Sequence, residues 1–118
     1  MKILITGTSQ GIGKAIAGLF LKNGHEVIGI DRADSSLSAA GYTHIRCDIR
    51  DIDKMPDIQD VEILINNAGT QNEDDIDINL KALIRITEKY GVQEQIRSVL
   101  NIGSASAQTG AEFPEYCA

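Results

Sequence analysis

Basic residues are scarce in this 118-residue sequence, where Lys and Arg number 11 against 17 Asp and Glu for a formal net charge of −6. Binding to a nucleic-acid backbone depends on clustered cations, so no nucleic-acid partner is expected. A phosphate-bearing small molecule stays open, because a helix N-terminus can hold an anion without any lysine. Cysteine is nearly missing too. Cys47 and Cys117 are the only two, they show no paired spacing, and Met1-Lys2 runs straight into an apolar stretch with no secretory leader read there. Two free thiols fit a reducing compartment, and the expected location is cytoplasmic. No apolar run approaches the ~20 residues that a membrane span needs, so no membrane partner is expected. His25 and His44 have no ligand partner at useful spacing, and no metal site is expected. Internal repeats, low-complexity tracts and linkers are absent as well. Residues 1–118 therefore read as one domain, large enough for a real core.

What is present is an alternation of short apolar runs and helical patterns. Lys2-Ile3-Leu4-Ile5-Thr6 ends on glycine and reads as a buried strand. From Ile12 the period changes, with Ile12, Ile16, Leu19 and Phe20 at helical spacing and Asn23-Gly24 as the stop. Further strands are expected at residues 26–31, 43–47, 61–65 and 98–102. A polar tract covers residues 33–41, and residues 50–60 are polar, Pro-containing and at best weakly helical. A helix is expected over about residues 76–90, with Ile76, Leu80, Leu83, Ile84 and Thr87 on one face. The run Glu73-Asp74-Asp75 before it reads as a solvated acidic stretch favourable at a helix N-terminus. Near-continuous apolar strands alternating with helices predict an α/β fold with a Rossmann-type, doubly wound parallel sheet of about five strands.

The segment from Thr6 to Gly13 joins the first strand to the first helix, and its three glycines divide the work. Gly7 permits a sharp turn, Gly11 lets the backbone approach a pyrophosphate, and Gly13 lets the helix pack close to the sheet. Ser9, Gln10 and Ile12 complete the candidate phosphate loop at the helix N-terminus. Asp31 closes the second strand, 20 residues after Gly11. A carboxylate there accepts hydrogen bonds from ribose hydroxyls and repels a 2′-phosphate. Arg32 pulls the other way, since a guanidinium can welcome that phosphate. On balance NAD(H) is favoured over NADP(H).

With Gly-x-x-x-Gly-x-Gly in this setting, the sequence resembles the short-chain dehydrogenase/reductases over essentially its whole length. Asp48 and Ile49 match the family positions beside the adenine. Asn66-Asn67-Ala68-Gly69 matches the signature closing the fourth strand, so Asn67, Ala68 and Gly69 are implied near the cofactor. Asp77-Ile78-Asn79-Leu80 is similar to the segment carrying the helix asparagine of the catalytic tetrad. Ser104 follows the fifth strand where the family serine sits, and Tyr116 comes 12 residues later at the place of the family tyrosine. The resemblance implies an NAD(P)-dependent oxidoreductase acting on a small alcohol or carbonyl. Tyr116 would be its general acid or base, Ser104 would hydrogen-bond the substrate oxygen, and the backbone carbonyl of Asn79 would hold a water. A phenol titrates near ~10 and needs nearby positive charge to ionise at neutral pH.

Two departures qualify the resemblance. The family pattern is Tyr-x-x-x-Lys, and the sequence stops at Tyr116-Cys117-Ala118, without that lysine, its helix or the later strands. The 118-residue polypeptide is therefore expected to have little or no dehydrogenase activity itself. Only nine residues separate Gly69 from Asn79, and the segment before the fourth strand is also short. That trimming is expected to thin one helical layer and to weaken the analogy with the family's helix-mediated homo-oligomers, which remain the expectation for an intact parent. Besides an enzyme, a dinucleotide-binding module without chemistry and a purely structural subunit stay open.

Overall fold

Strands that are apolar at nearly every position demand cover on both faces. The computed structural model, which describes residues 1–71, 74–104, 106–110 and 114–117, meets that demand with a five-stranded sheet in the order β3-β2-β1-β4-β5. The strands are β1 (Lys2–Thr6), β2 (Glu26–Asp31), β3 (Tyr42–Arg46), β4 (Ile63–Asn66) and β5 (Ser98–Asn101), and every neighbouring pair is parallel. The protein is thus α/β with a Rossmann-like sheet. The chain order reverses between β1 and β4, which leaves a crevice outside their carboxyl ends.

Alternation along the strands splits the core in two. Ile3, Ile5, Val27 and Ile65 pack on the side of α1 (Gly11–Lys22), whose Ala17 is fully buried. Leu4, Ile28, Ile30 and Leu64 pack on the other side, against α2 (Leu83–Tyr90) and the π-helical segment Ile76–Ala82 that leads into it. Among the described residues, no helix is long and apolar enough to cross a membrane.

Three features differ from the sequence expectation. The stretch of residues 50–60 holds only a 3₁₀ turn (Ile52–Lys54), yet Ile52, Met55, Ile58 and Val61 are all buried. Their spacing of three suits a chain with about three residues per turn, so an irregular segment covers the sheet where a helix would otherwise lie. The fourth strand starts at Ile63, opposite Ile3; before it the Glu62 amide still reaches the Lys2 carbonyl (2.9 Å), while the Val61 amide turns away to Gln93 Oε1 (3.1 Å).

The third concerns the helix after residue 75. Its buried face is Ile78, Ala82, Ile86 and Tyr90, while Leu80 and Ile84 are 44% and 45% exposed. Small Ala82 and polar-tipped Tyr90 disguise this stripe in the sequence. Tyr90 belongs there because its hydroxyl donates to the Pro56 carbonyl (2.6 Å), and burial pushes its phenol up to about 12. Strand β5 lies at the edge of the described sheet, and all four of its residues are exposed.

The corrected face is open to measurement. Ile86→Ala should cost about 2–5 kcal/mol in urea unfolding, whereas Ile84→Ala should cost less than about 1 kcal/mol. A larger loss for Ile84→Ala than for Ile86→Ala would show that the helix packs on the other stripe.

Candidate functional site

The crevice is built where β1 and β4 end side by side. Thr6 Oγ1 accepts the amides of Asn67 and Ala68, each at 3.0 Å. Asn67 Nδ2 returns the grip by donating to the Thr6 and Gly7 carbonyls, both at 3.1 Å. Asn66 points elsewhere. Its buried Nδ2 donates to Thr87 Oγ1 (3.0 Å) and Asn101 Oδ1 (2.9 Å), tying β4 to α2 and β5. The two asparagines of one signature therefore serve different neighbours.

Gly7 and Gly11 hold φ of +79° and +61°, a region that favours glycine. A Cβ on Gly13 would run into the Gly7 carbonyl and Asn67 Nδ2, so only glycine lets α1 start this close to the strand ends. Gln10 forms no side-chain cap on α1, and no acidic residue sits in the first turn. The amides of that turn therefore keep their attraction for an anion.

A cavity of about 420 Å³ opens here, lined by Gly7, Gln10, Gly11, Ile12, Asp31 and Arg32 from one half of the sheet. Asp48, Ile49, Asn67, Ala68 and Gly69 complete the wall. Ser9 and Gly13 do not line it. Ser9 instead donates its amide to Asp31 Oδ2 (2.9 Å), and the Ala33 amide donates to Asp31 Oδ1 (2.8 Å). Each Asp31 oxygen thus carries one backbone donor and retains acceptor capacity for a ribose hydroxyl.

Asp48 is held more tightly than the sequence suggests. Arg50 donates from its backbone (2.9 Å) and from Nε (3.0 Å) to Oδ1, and from Nη2 (2.7 Å) to Oδ2. This fork, only partly offset by burial, holds the Asp48 carboxyl below the usual carboxylate range. Arg50 Nη1 also reaches Asp74 Oδ2 at 2.9 Å. Sequence reasoning passed over Arg50, although its offset of two from Asp48 permits such a turn. Ile30, Cys47, Thr70 and Ile78 also line the cavity without having been singled out.

A second cavity of about 470 Å³ shares Ile12, Asn67, Ala68, Gly69 and Thr70 with the first. Asn79, Ser104 and Tyr116 all border it, so the structure brings the three candidate catalytic residues to one space beside the first cavity. Ser104 follows β5 in an exposed position, and Tyr116 lies half-buried on the short α3 (Pro114–Cys117). Asn79 sits in the π-helical segment, where its side chain mimics a strand edge. Its Oδ1 accepts the Thr70 amide and its Nδ2 donates to the Thr70 carbonyl, each at 2.8 Å.

Within the acidic run next to it, Asp74 is exposed as expected and only Asp75 departs from a solvated position. Asp75 is 1% exposed and accepts the Thr70 hydroxyl at 2.8 Å, while Asp74 pairs with Arg50. Glu73 lies outside the described residues, as does the side chain of Cys117; Cys47 is a free thiol. No group of three or more His, Cys, Asp or Glu that could hold a metal occurs among the described residues.

A parallel sheet carrying its glycine loop at the switch point defines the class, a Rossmann-type fold built for a dinucleotide. The chain belongs to the short-chain dehydrogenase family, whose profile matches residues 1–118. Members of that family bind NAD(P). The chain is 29% identical to D-xylose 1-dehydrogenase of Caulobacter vibrioides, over 94% of its own length and 56% of the relative's. It is also 29% identical to the NADP-dependent 3-hydroxy acid dehydrogenase of Salmonella typhi, over 90% of this chain and 55% of that one. Among solved structures, serine dehydrogenase of Escherichia coli is 25% identical with a TM-score of 0.79, covering 92% of this chain and 64% of that one. Aldohexose dehydrogenase of Thermoplasma acidophilum is 26% identical with a TM-score of 0.80, covering 98% and 54%. The chain therefore spans little more than half the length of the curated relatives it matches.

Two outcomes follow from the packing. Gly13→Ala should destabilise the fold by about 1–3 kcal/mol in urea unfolding, and a neutral result would mean that α1 can step back from the strand ends. Arg50→Ala should lower the Tm at pH 7. Because Arg50 holds Asp48 below its unfolded value, that stabilisation is present above about pH 4 and is lost as pH falls through the folded value. The Tm gap between the two proteins should therefore narrow progressively as the pH falls below about 4. A gap independent of pH would remove Asp48 as its cause.

Proposed function

We propose that this chain forms the dinucleotide-binding half of an oxidoreductase that interconverts an alcohol and a carbonyl compound, with NAD(H) preferred over NADP(H). The observation that carries the reading is the position of Asp31. Its carboxylate lines the cavity beside the uncapped start of α1, steadied by two backbone amides and still able to accept from ribose hydroxyls. A 2′-phosphate in that place would meet its negative charge. Relatives of the same family carry names with NADP, so the acid, and not membership, supports the preference.

The residues fit a dinucleotide along the whole crevice. Amides of the first turn of α1 would hold the pyrophosphate, Asp31 the ribose, and Asp48 with Ile49 the adenine. Residues 67–69 would support the nicotinamide end, toward the second cavity. When bound, the nicotinamide accepts or donates the hydride. In the oxidative direction Tyr116 would take the hydroxyl proton as hydride leaves the carbinol carbon, and Ser104 would donate to the substrate oxygen. Asn79 would act one step removed, by clamping Thr70 and so holding the loop that follows Gly69. The substrate is a small alcohol or carbonyl compound, bound in the space that Ser104 and Tyr116 border.

Fluorescence titration of the 118-residue chain with NADH and NADPH tests the binding half. NADH should bind about tenfold or more tightly than NADPH, the equivalent of about 1.4 kcal/mol, and Asp31→Ala should erase most of that ratio. Binding of neither nucleotide would overturn the reading. In a longer protein that contains this chain, Tyr116→Phe should lower kcat about 10²–10⁴-fold with NADH affinity unchanged. NADH binding without turnover by that longer protein would leave a non-catalytic binding module instead.

A further inference from the structure

Thr8 is the fully buried member of the glycine-rich loop, and it lines neither cavity. Its hydroxyl lies 2.7 Å from the Tyr42 hydroxyl, which lies 2.7 Å from Nδ1 of His44. Nε2 of His44 then lies 2.9 Å from the Ala33 carbonyl. Tyr42 and His44 are two apart on β3 and so share one face of the sheet. The path passes over β2 at Gly29, which pairs with Ile5 on one side and His44 on the other. A Cβ there would collide with both the Tyr42 and the Thr8 hydroxyl oxygens. Glycine within an otherwise apolar central strand is thus explained by what crosses above it.

The direction of these bonds follows from their ends. The Ala33 carbonyl can only accept, so Nε2 of His44 carries a hydrogen, and in the tautomer with its one hydrogen there Nδ1 accepts. Tyr42 then donates to His44, and Thr8 donates to Tyr42. Burial pushes the Tyr42 phenol above its ordinary range, which keeps it a donor at neutral pH. Both ends of the relay return to the same carboxylate. Ala33 donates its amide to Asp31 Oδ1 (2.8 Å), and Ser9, next to Thr8, donates its amide to Oδ2 (2.9 Å). Two further bonds lace the ends together, Ser9 Oγ to the Asp34 carbonyl (2.9 Å) and Ser36 Oγ to the Ser9 carbonyl (2.6 Å). The result is a closed ring of hydrogen bonds and short chain links, with Asp31 as its one member on the dinucleotide cavity wall that is gripped from both sides.

We propose that Tyr42 and His44 are positioning residues for the dinucleotide, holding the glycine-rich loop and the Asp31 carboxylate in register with each other through Thr8 and Ala33. This rests on the dinucleotide reading above. Neither residue belongs to the motifs that carry that reading, and neither lines the cavity. They act by adding a buried brace, beneath the direct bonds of Ser9 and Ser36, between two loops, one that would meet the pyrophosphate and the other the ribose.

Two measurements on Tyr42→Phe and Thr8→Val test the relay, one without ligand and one with NADH. In the unliganded protein, amide hydrogen exchange at Ser9 and Ala33 should quicken about three- to tenfold in each variant. NADH should bind about three- to tenfold more weakly, and the double variant should be no weaker than either single one, because each breaks the same chain. Thr8→Ser, which keeps the hydroxyl, should restore both readouts, and His44→Gln should reproduce the loss. Exchange unchanged in both single variants would overturn the relay whether or not NADH binds. Additive losses would overturn it as a single device. An unmutated chain that ignores NADH would overturn the dinucleotide reading and the ligand role of Tyr42 and His44 with it.

Discussion

The site depends on one junction, the hydrogen-bonded seam between the carboxyl ends of β1 and β4. Thr6 receives two amides from the β4 loop, and Asn67 returns two bonds to the β1 loop. Those four bonds tie together segments some sixty positions apart in the chain, at the place where the strand order reverses. The start of α1 fits against this seam only because residue 13 has no side chain. Loosening the seam would separate the glycine-rich loop that opens α1 from the loop that leads toward Asn79.

Around that seam the protein handles charge with a small number of fixed partners. A chain of net charge −6 attracts a polyanionic ligand only where local fields oppose the overall one. The open first turn of α1 supplies such a field through backbone dipoles. The acids nearby are each committed, Asp31 to two amides, Asp48 to the Arg50 fork and Asp75 to the Thr70 hydroxyl. Committed carboxylates keep their orientation, which a site needs if its polar groups are to be held in place before anything binds.

Much of this was legible in the residues. Apolar runs placed all five strands to within two positions at either end, and the spacing of Gly7, Gly11 and Gly13 marked the loop that stands at the crevice. The reading faltered where the physics was not local. Two stripes run along the helix after residue 75, and the less apolar one is buried because Ile78 and Ile86 meet Leu4 and Leu64 across the sheet. Residues 50–60 look polar, but Ile52, Met55 and Ile58 recur at a spacing that neither a helix nor a strand template detects. Asp75 looks solvated in a run of acids, yet it is 1% exposed and accepts the Thr70 hydroxyl.

The sequence by itself determined the fold class, the place of the glycine-rich loop and the acid at the end of β2, because glycine spacing and strand length are constraints on a chain with its near neighbours. Tertiary structure alone decided which helix stripe faces the sheet, that Arg50 holds Asp48, and that Tyr42 and His44 connect Thr8 to Ala33. Those outcomes require strands far apart in sequence to lie one beside another, and a hydrogen bond between side chains exists only once that register is set.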